Sequence, residues 1–245
     1  MKINVLTIFP EVFEKTLDFG MLKIAADKGK ASYKVVNIRD YAEGRHKNTD
    51  DTPYGGSGGM VMMPGPLVRA LRGSGAERGA EKQRAVLLNA AGKKLTQKKL
   101  GEYADLEALT LVCGRYEGVD ERVLNYVDEE ISTGDYVLSG GEFAALAVIE
   151  GVIRLLPGVL GNEESNKTES FTSGILDFPQ YTRPEEFEGI KAPSALLSGN
   201  HEMIRKWRRK QALKKTMENR PELLDNKFLT KEDKKMIEEI RKGEI

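Results

Sequence analysis

Apolar segments of strand length alternate with segments of helical periodicity up to residue 156, and this alternation constrains the fold more than any other feature of the sequence. Strands are predicted at 3–9, 33–38, 84–88 and 109–113, and helices at 11–28, 96–103 and 141–156. Such alternation favours a mostly parallel sheet covered by helices, with ligand sites at the carboxyl ends of the strands. We therefore predict an α/β fold.

The predicted helix at 141–156 is apolar around most of its circumference. A helix of this kind must be buried on several sides rather than on one. A dimer interface would provide the additional burial.

Two glycine-rich turns follow apolar segments, and the second opens the apolar helix. We refer to residues 114–118 as the first glycine turn and to residues 133–141 as the second. Glycine lets the backbone approach a ligand closely, and the start of a helix offers free N–H groups. The pair of turns therefore predicts a small-molecule pocket built mainly from backbone. The alternative is two ordinary turns that end strands.

Composition excludes several classes of protein. The 245 residues include 38 Lys plus Arg and 38 Asp plus Glu, so net charge indicates no partner. The single cysteine, Cys113, excludes an intrachain disulfide and a four-cysteine zinc site, and it suits a reducing compartment. No apolar segment resembles a secretory signal or reaches membrane-spanning length. These features predict a soluble cytoplasmic protein without membrane association.

Familiar cofactor and catalytic motifs are missing from the sequence. Pro10 and Glu11 follow the first predicted strand, where a dinucleotide fingerprint would require glycines. No phosphate-binding loop of the G-x-x-x-x-G-K-S/T type occurs, and His46 and His201 are the only histidines. A nicotinamide-dependent enzyme remains an alternative that the missing fingerprint disfavours.

The chain is predicted to contain two domains and a linker. The glycine- and methionine-rich loop at 45–66 is longer than compact domains usually keep without a function. The segment from 158 to 183 is polar and rich in turn residues, which indicates a mobile linker. The predicted organisation is an α/β domain at 1–160, a linker at 161–183 and a helical domain at 184–245.

A predicted helix after residue 200 carries a dense group of cations around Trp207. Only Glu202 opposes them, whereas a solvated helix usually mixes its charges. The pattern favours a surface that contacts phosphates, with Trp207 anchoring the helix to its domain. The alternative is a lysine-rich face that only aids solubility. The cations are Arg205, Lys206, Arg208, Arg209, Lys210, Lys214 and Lys215.

Several long motifs closely resemble the TrmD family of bacterial tRNA (guanine-N1)-methyltransferases, and the resemblance runs nearly from end to end. They are DDTPYGG at 50–56, VCGRYEGVDER at 112–122, STGDYVLSGGE at 132–142, PGVLG at 157–161, YTRP at 181–184 and LSGNH at 197–201. The resemblance implies a SPOUT-class homodimer with a C-terminal trefoil knot in its α/β domain, a small all-helical C-terminal domain that helps to hold tRNA, and an active site at the subunit interface. It implies methyl transfer from S-adenosylmethionine to N1 of the guanosine 3′ of the anticodon, tRNA position 37.

The resemblance also implies which residues bind the methyl donor. They are Leu88, Ala90, Gly114, Tyr116, Glu117, Gly118, Thr133, Gly134, Asp135, Tyr136, Val137, Leu138, Gly140 and Gly141. Ala90 stands where the family usually has proline. Because this residue would contribute mainly backbone, we expect donor binding to survive the difference.

Methyl transfer requires few side chains, because the sulfonium already activates the methyl group. The protein must orient N1, remove its proton and stabilise negative charge on the guanine O6. The resemblance implies Glu169 as the base, although the family has aspartate there, Arg154 as the partner of O6, and Asp177 as a second carboxylate. The alternatives are a solvated linker carboxylate for Glu169 and a helix-end or ion-pair role for Arg154.

Substrate contacts are carried over in the same way. The resemblance implies that Asp50, Gly58 and Gly59 lie near the target base, and that the C-terminal part contacts tRNA through Tyr181, Asn200, His201, Arg205, Arg208 and Arg209. It also implies assistance by Mg²⁺, for which Glu117 is the candidate ligand. A non-catalytic RNA-binding or ribosome-assembly protein on the same scaffold remains an alternative, because Glu169 departs from the family pattern.

Overall fold

The computed structural model describes residues 1–56, 58–161, 169–225 and 229–243, and in these ranges five parallel strands form one sheet. Their order is β2-β1-β6-β5-β7, and every pairing is parallel. The strands are β1 (Lys2–Thr7), β2 (Ser32–Asn37), β5 (Gln83–Lys94), β6 (Ala108–Cys113) and β7 (Glu129–Ser132). The prediction of an α/β fold with a mostly parallel sheet is confirmed.

Helices cover both faces of this sheet. They are α1 (Glu11–Glu14), α2 (Gly20–Asp27), α3 (Pro64–Ser74), α4 (Gln97–Ala104) and α5 (Glu142–Ile153), with 3₁₀ turns at Ile38–Tyr41 and Glu121–Asn125. One apolar cluster contains Phe13, Leu22 and the buried residues of α5, and a second contains Leu67 and Leu71 of α3. Because β6 is buried on both faces, it is apolar except for Thr110, as buried parallel strands usually are.

Several local features of the N-terminal part differ from the sequence-based predictions. The predicted helix at 11–28 is two helices, and Gly20, at φ +55°, begins the second after an extended Phe19. Strand β5 continues past Leu88 through a register shift against β7. Helix α3 was not predicted, because its proline and glycine residues weaken a helical pattern, although proline is common in the first turn of a helix.

The chain divides into two units, Met1–Gly161 and Asn162–Ile245. The C-terminal unit contains α6 (Ser194–Leu197), α7 (His201–Asn219) and α8 (Lys231–Arg241), with a 3₁₀ turn at Pro221–Asp225. It also contains a hairpin of β8 (Glu186–Phe187) and β9 (Ile190–Lys191). The prediction of an entirely helical C-terminal part missed this hairpin, because two-residue strands are too short to show an alternating pattern. Its turn has positive φ at Glu188 and Gly189, as tight hairpins favour.

Residues 169–181, which the sequence assigned to a linker, make contacts with α7. Ile175 is buried with Leu213 in the core of the C-terminal unit, and the Leu176 N–H donates to Thr216 Oγ1 at 3.0 Å. The rest of the predicted mobile linker includes residues 162–168, which lie outside the described residues. None of the helices in the described ranges is long and apolar enough to cross a membrane.

Candidate active site

A cleft lies where β6 and β7 end and where β5 leaves β6 after Leu88. Residues from three segments line it: 87–90, 114–119 and 131–144. This is the carboxyl edge of a parallel sheet, where α/β proteins usually bind ligands. Both glycine turns contribute residues to the walls of the cleft.

Close backbone contact joins the two glycine turns. The Gly141 N–H donates to the Gly114 carbonyl at 2.9 Å, and Arg115 forms an isolated antiparallel bridge with Gly140. A Cβ on Gly141 would lie 2.8 Å from Cys113 Cα and 3.1 Å from Gly114 N. Only glycine therefore lets the second turn pack this tightly against the end of β6.

Backbone strain and exposed apolar groups mark the same cleft. Tyr116 adopts φ +60° although it is not glycine, a conformation that costs free energy and is concentrated at functional sites. Its side chain is partly exposed, as are those of Tyr136, Val137 and Leu138. Large exposed apolar side chains around a concave site are typical of small-molecule binding.

A buried carboxylate follows Gly141, one of the residues that line the cleft. Glu142, the first residue of α5, is fully buried and accepts hydrogen bonds from Thr7 Oγ1 at 2.7 Å and Arg115 Nε at 3.0 Å. Burial, reinforced by the nearby Glu142 charge, raises the pKa of the Cys113 thiol well above its usual value. Cys113 is therefore a neutral packing residue and not a nucleophile.

The glycine- and methionine-rich loop is attached to the first glycine turn. Its short strands β3 (Asp50–Asp51) and β4 (Val61–Met62) pair antiparallel, so Asp50 lies opposite Met62. The Met62 N–H donates to the Gly118 carbonyl at 2.9 Å, and the Glu117 N–H donates to the Met60 carbonyl at 3.0 Å. The loop that carries Gly58 and Gly59 is thus joined directly to the wall of the cleft.

Gly59 lies against the side chain of Glu117. It has φ +87°, and a Cβ on it would fall 2.6 Å from Glu117 Oε1. The predicted base-contacting glycine and the predicted donor-binding carboxylate are therefore neighbours. This proximity was not apparent from their separation in sequence.

Most residues predicted to bind the donor line the cleft. Only Gly134 and Asp135 of that set do not: the Gly134 carbonyl accepts from Ser132 Oγ at 2.9 Å, and Asp135 pairs with Lys94 at 3.2 Å. Eight lining residues were not named in that set, although four of them lie inside the quoted motifs: Arg115, Val119, Ser132 and Ser139. The other four are Leu87, Asn89, Ile131 and Ala144.

The three predicted catalytic residues lie in different parts of the chain. Arg154 caps the end of α5 in the N-terminal unit and is half-buried. Glu169 and Asp177 belong to the C-terminal unit, and both are half-buried. Asp177 Oδ1 accepts from the Phe178 N–H at 2.8 Å, and the Asp177 N–H donates to Ser170 Oγ at 2.9 Å. The roles of these residues remain predictions.

Two of the predicted tRNA contacts have structural partners within the C-terminal unit. Asn200 is the N-cap of α7, and its Oδ1 accepts from the Met203 N–H at 3.1 Å. Arg209 makes a bidentate pair with Asp233, with distances of 2.7 and 2.9 Å. Burial raises the pKa of Asp233, but hydrogen bonds from Arg209 and Thr230 outweigh it and lower that pKa to about 2. Arg209 therefore holds α7 to α8, and its contact with tRNA stays a prediction.

The remaining predicted tRNA contacts are more accessible. His201 and Arg205 are exposed on the first turns of α7, and Arg208 lies with its Cζ 4.9 Å from the ring centroid of Phe178. Tyr181 is half-exposed and makes an edge-on contact with Trp207, with ring centroids 6.1 Å apart. These side chains form a surface of cations and aromatic rings.

Metal ligands do not cluster in the part of the chain that the structure describes. No group of three or more His, Cys, Asp or Glu side chains there could hold an ion. Glu117 is the sole carboxylate among the described residues that line the cleft.

Comparison with known proteins identifies the family. The family model described as tRNA (Guanine-1)-methyltransferase TrmD matches residues 1–226. The chain belongs to this family. A tRNA (guanine-N(1)-)-methyltransferase of Dictyoglomus turgidum is 50% identical over 242 residues, covering 99% of this chain and 97% of the relative. The enzyme of the same name from Anoxybacillus flavithermus is 47% identical over 245 residues, covering 100% of both chains.

Proposed function

We propose that this TrmD-family chain transfers a methyl group from S-adenosylmethionine to N1 of the guanosine 3′ of the anticodon, tRNA position 37. The observation that carries the proposal is the match of the family model to residues 1–226, which includes every segment lining the cleft. Close relatives carry the name of the same activity. When bound, the donor supplies an electrophilic methyl group.

The cleft has the chemistry that this donor requires. Its walls offer backbone groups of the two glycine turns, and Tyr116, Tyr136 and Leu138 offer apolar surface for an adenine ring. The carboxylate of Glu117 matches the cationic part of the donor. Ala90, where the family usually has proline, is among the residues that line the cleft.

The reaction on guanine requires a base and a group that accepts charge from O6. Glu169 supplies a carboxylate for the N1 proton, and Arg154 supplies a guanidinium for the developing O6 anion. Asp177 is a second carboxylate that positions guanine or the segment around it. The tRNA is held by the exposed residues of α7 and by the loop that contains Asp50, Gly58 and Gly59.

Exposed apolar side chains beside the cleft support a homodimer. Val137, in the second glycine turn, is 86% exposed. Phe143, on the apolar helix α5, is 65% exposed. We infer that a second copy covers them and completes the active site. Light scattering is expected to give twice the mass of the chain, and a monomer that methylates tRNA would contradict the inference.

The trefoil knot belongs to the same proposal. After β7 the chain returns to the end of β6, where the Gly141 N–H donates to the Gly114 carbonyl. This path supports the proposed knot. An experimental electron-density trace from β5 to α5 would test it.

A tRNA-modifying role also favours the cytoplasm as the location of the protein.

Magnesium dependence rests on Glu117. One carboxylate is too few for a site made of protein alone, so any Mg²⁺ would be shared with oxygen atoms of the substrate. Methyl transfer to tRNA should then require Mg²⁺, whereas donor affinity measured without tRNA should not change on addition of EDTA.

Transfer of labelled methyl to tRNA transcripts tests the proposal most simply. A transcript with guanosine at position 37 is expected to acquire 1-methylguanosine, and a matched transcript with adenosine there is not. If the folded protein binds both the donor and tRNA but transfers no methyl, the non-catalytic RNA-binding alternative is correct.

A further inference from the structure

A buried ion pair joins the first glycine turn to the start of α5. The side chain of Glu142 has no exposed surface, and that of Arg115 is 20% exposed. Arg115 Nε donates to Glu142 Oε2 at 3.0 Å, and Thr7 Oγ1 donates to Oε1 at 2.7 Å. Both carboxylate oxygens therefore have a donor, one from the first glycine turn and one from the end of β1.

The guanidinium of Arg115 also reaches the second glycine turn. Arg115 Nη1 donates to the Ser139 carbonyl at 3.2 Å, and the Phe9 ring lies below with its centroid 4.4 Å from Cζ. A Cβ on Gly140 would lie 2.6 Å from Glu142 Oε2 and 2.5 Å from Arg115 Cδ. One side chain thus ties the first turn, the second turn and the start of α5 together.

Stability alone does not account for such a pair. Desolvation of two charges offsets much of their attraction, and replacing a buried ion pair by apolar residues of similar volume is often neutral or stabilising. The directional hydrogen bonds of the planar guanidinium, in contrast, fix the spacing between groups that contact it. Apolar residues cannot reproduce that property.

We propose that Arg115 and Glu142 are positioning residues, which hold the two glycine turns at the spacing that S-adenosylmethionine requires. This proposal rests on the proposed function, because the ligand of the cleft is the methyl donor. Glu142 neutralises and orients Arg115, and Arg115 fixes the backbone of the second turn through Ser139. Loss of either group lets the walls of the cleft drift, which weakens donor binding.

Calorimetric titration of the full-length protein with S-adenosylhomocysteine, combined with thermal unfolding, tests this role. Glu142→Gln and Arg115→Met are each expected to lower the unfolding temperature and to raise the dissociation constant about tenfold or more. The double variant Arg115→Met with Glu142→Met removes both charges, so its unfolding temperature is expected to recover toward that of the wild type. Its dissociation constant is expected to stay raised about tenfold.

A matched control separates positioning from general loss of stability. Asp233→Asn removes the carboxylate of the other buried arginine pair, in the C-terminal unit, where Asp233 is 3% exposed. It is expected to lower the unfolding temperature and to leave the dissociation constant for S-adenosylhomocysteine within about twofold. Arg115→Lys provides a conservative change, since lysine can reach Glu142 but not Ser139 at the same time.

Three results would overturn the proposal. They are a double variant that binds with wild-type affinity, an Asp233→Asn variant that loses as much affinity as Glu142→Gln, and an Arg115→Lys variant indistinguishable from wild type. If the wild-type protein failed to bind S-adenosylhomocysteine, the proposed function itself would be refuted, and this role with it.

Discussion

Substitution of Gly141 by alanine tests whether close backbone contact builds the cleft. Gly141 has φ −80° and ψ −4°, so alanine meets no conformational penalty there. Its Cβ would lie 2.8 Å from Cys113 Cα and 3.1 Å from Gly114 N, whereas carbon contacts are optimal at about 3.5–4.0 Å. The second glycine turn must move away by about 0.5–1 Å, and overpacking of this kind costs about 1–3 kcal/mol.

Urea unfolding and calorimetry measure the two consequences of Gly141→Ala. The free energy of unfolding should fall by about 1–3 kcal/mol. If donor binding loses the same free energy, the dissociation constant for S-adenosylhomocysteine should rise about 5- to 150-fold. Gly101→Ala is the control: a Cβ on Gly101, inside α4, has nothing within 4 Å. It should stabilise the protein by about 0.5–1 kcal/mol and leave affinity unchanged.

Two results would refute this reasoning. One is a Gly141→Ala variant that keeps both wild-type stability and wild-type affinity. The other is a Gly101→Ala variant that loses donor affinity to a similar extent, since the loss would then have no connection with the contact between the glycine turns.

Other perturbations test the remaining assignments. Arg154→Ala should lower kcat about 100-fold or more in a methyl-transfer assay and leave S-adenosylhomocysteine affinity unchanged; equal activity would remove the assignment. Glu169→Gln should lower the single-turnover rate by about 100-fold or more, and a wild-type rate would show that another group takes the proton. The pKa of Asp233 is lowered from 3.8 to about 2, so the stability that its ionised form contributes is present above pH 4 and is lost as pH falls toward 2. Thermal unfolding should show this loss, and Asp233→Asn should remove that part of the pH dependence. Arg205→Ala should weaken tRNA binding and reduce the slope of log affinity against log salt by about 1, whereas an unchanged slope would exclude a phosphate contact.

The central strands of the sheet were predictable because they are largely buried. Strand β6 is apolar except for Thr110, and β1 keeps enough buried apolar residues to be recognised although Asn4 interrupts it. Strand β7 was not predicted, since its four residues include Glu129 and Glu130. Tyr103, buried on α4, donates to Glu129 at 2.9 Å, which shows how tertiary contacts stabilise a charged strand.

The site was partly predictable for a different reason. At positions 114, 140 and 141 the backbone lies so close to other atoms that a larger residue would not fit well. The glycines that meet this requirement can be recognised in the sequence. The partners in each close contact are not visible, because they are distant in the chain: Glu142 meets Thr7, and Gly59 meets Glu117. Arg209 illustrates the same limit, since its pairing with Asp233 was not visible in the sequence.

A crystal structure with S-adenosylhomocysteine is the most direct measurement of the central claim, that the two glycine turns form the donor site. The account predicts ligand density between residues 114–118 and 133–141, with its adenine against backbone of both turns and with Arg115 still paired to Glu142. Density for the ligand at another place in the molecule, with these turns unchanged, would contradict it.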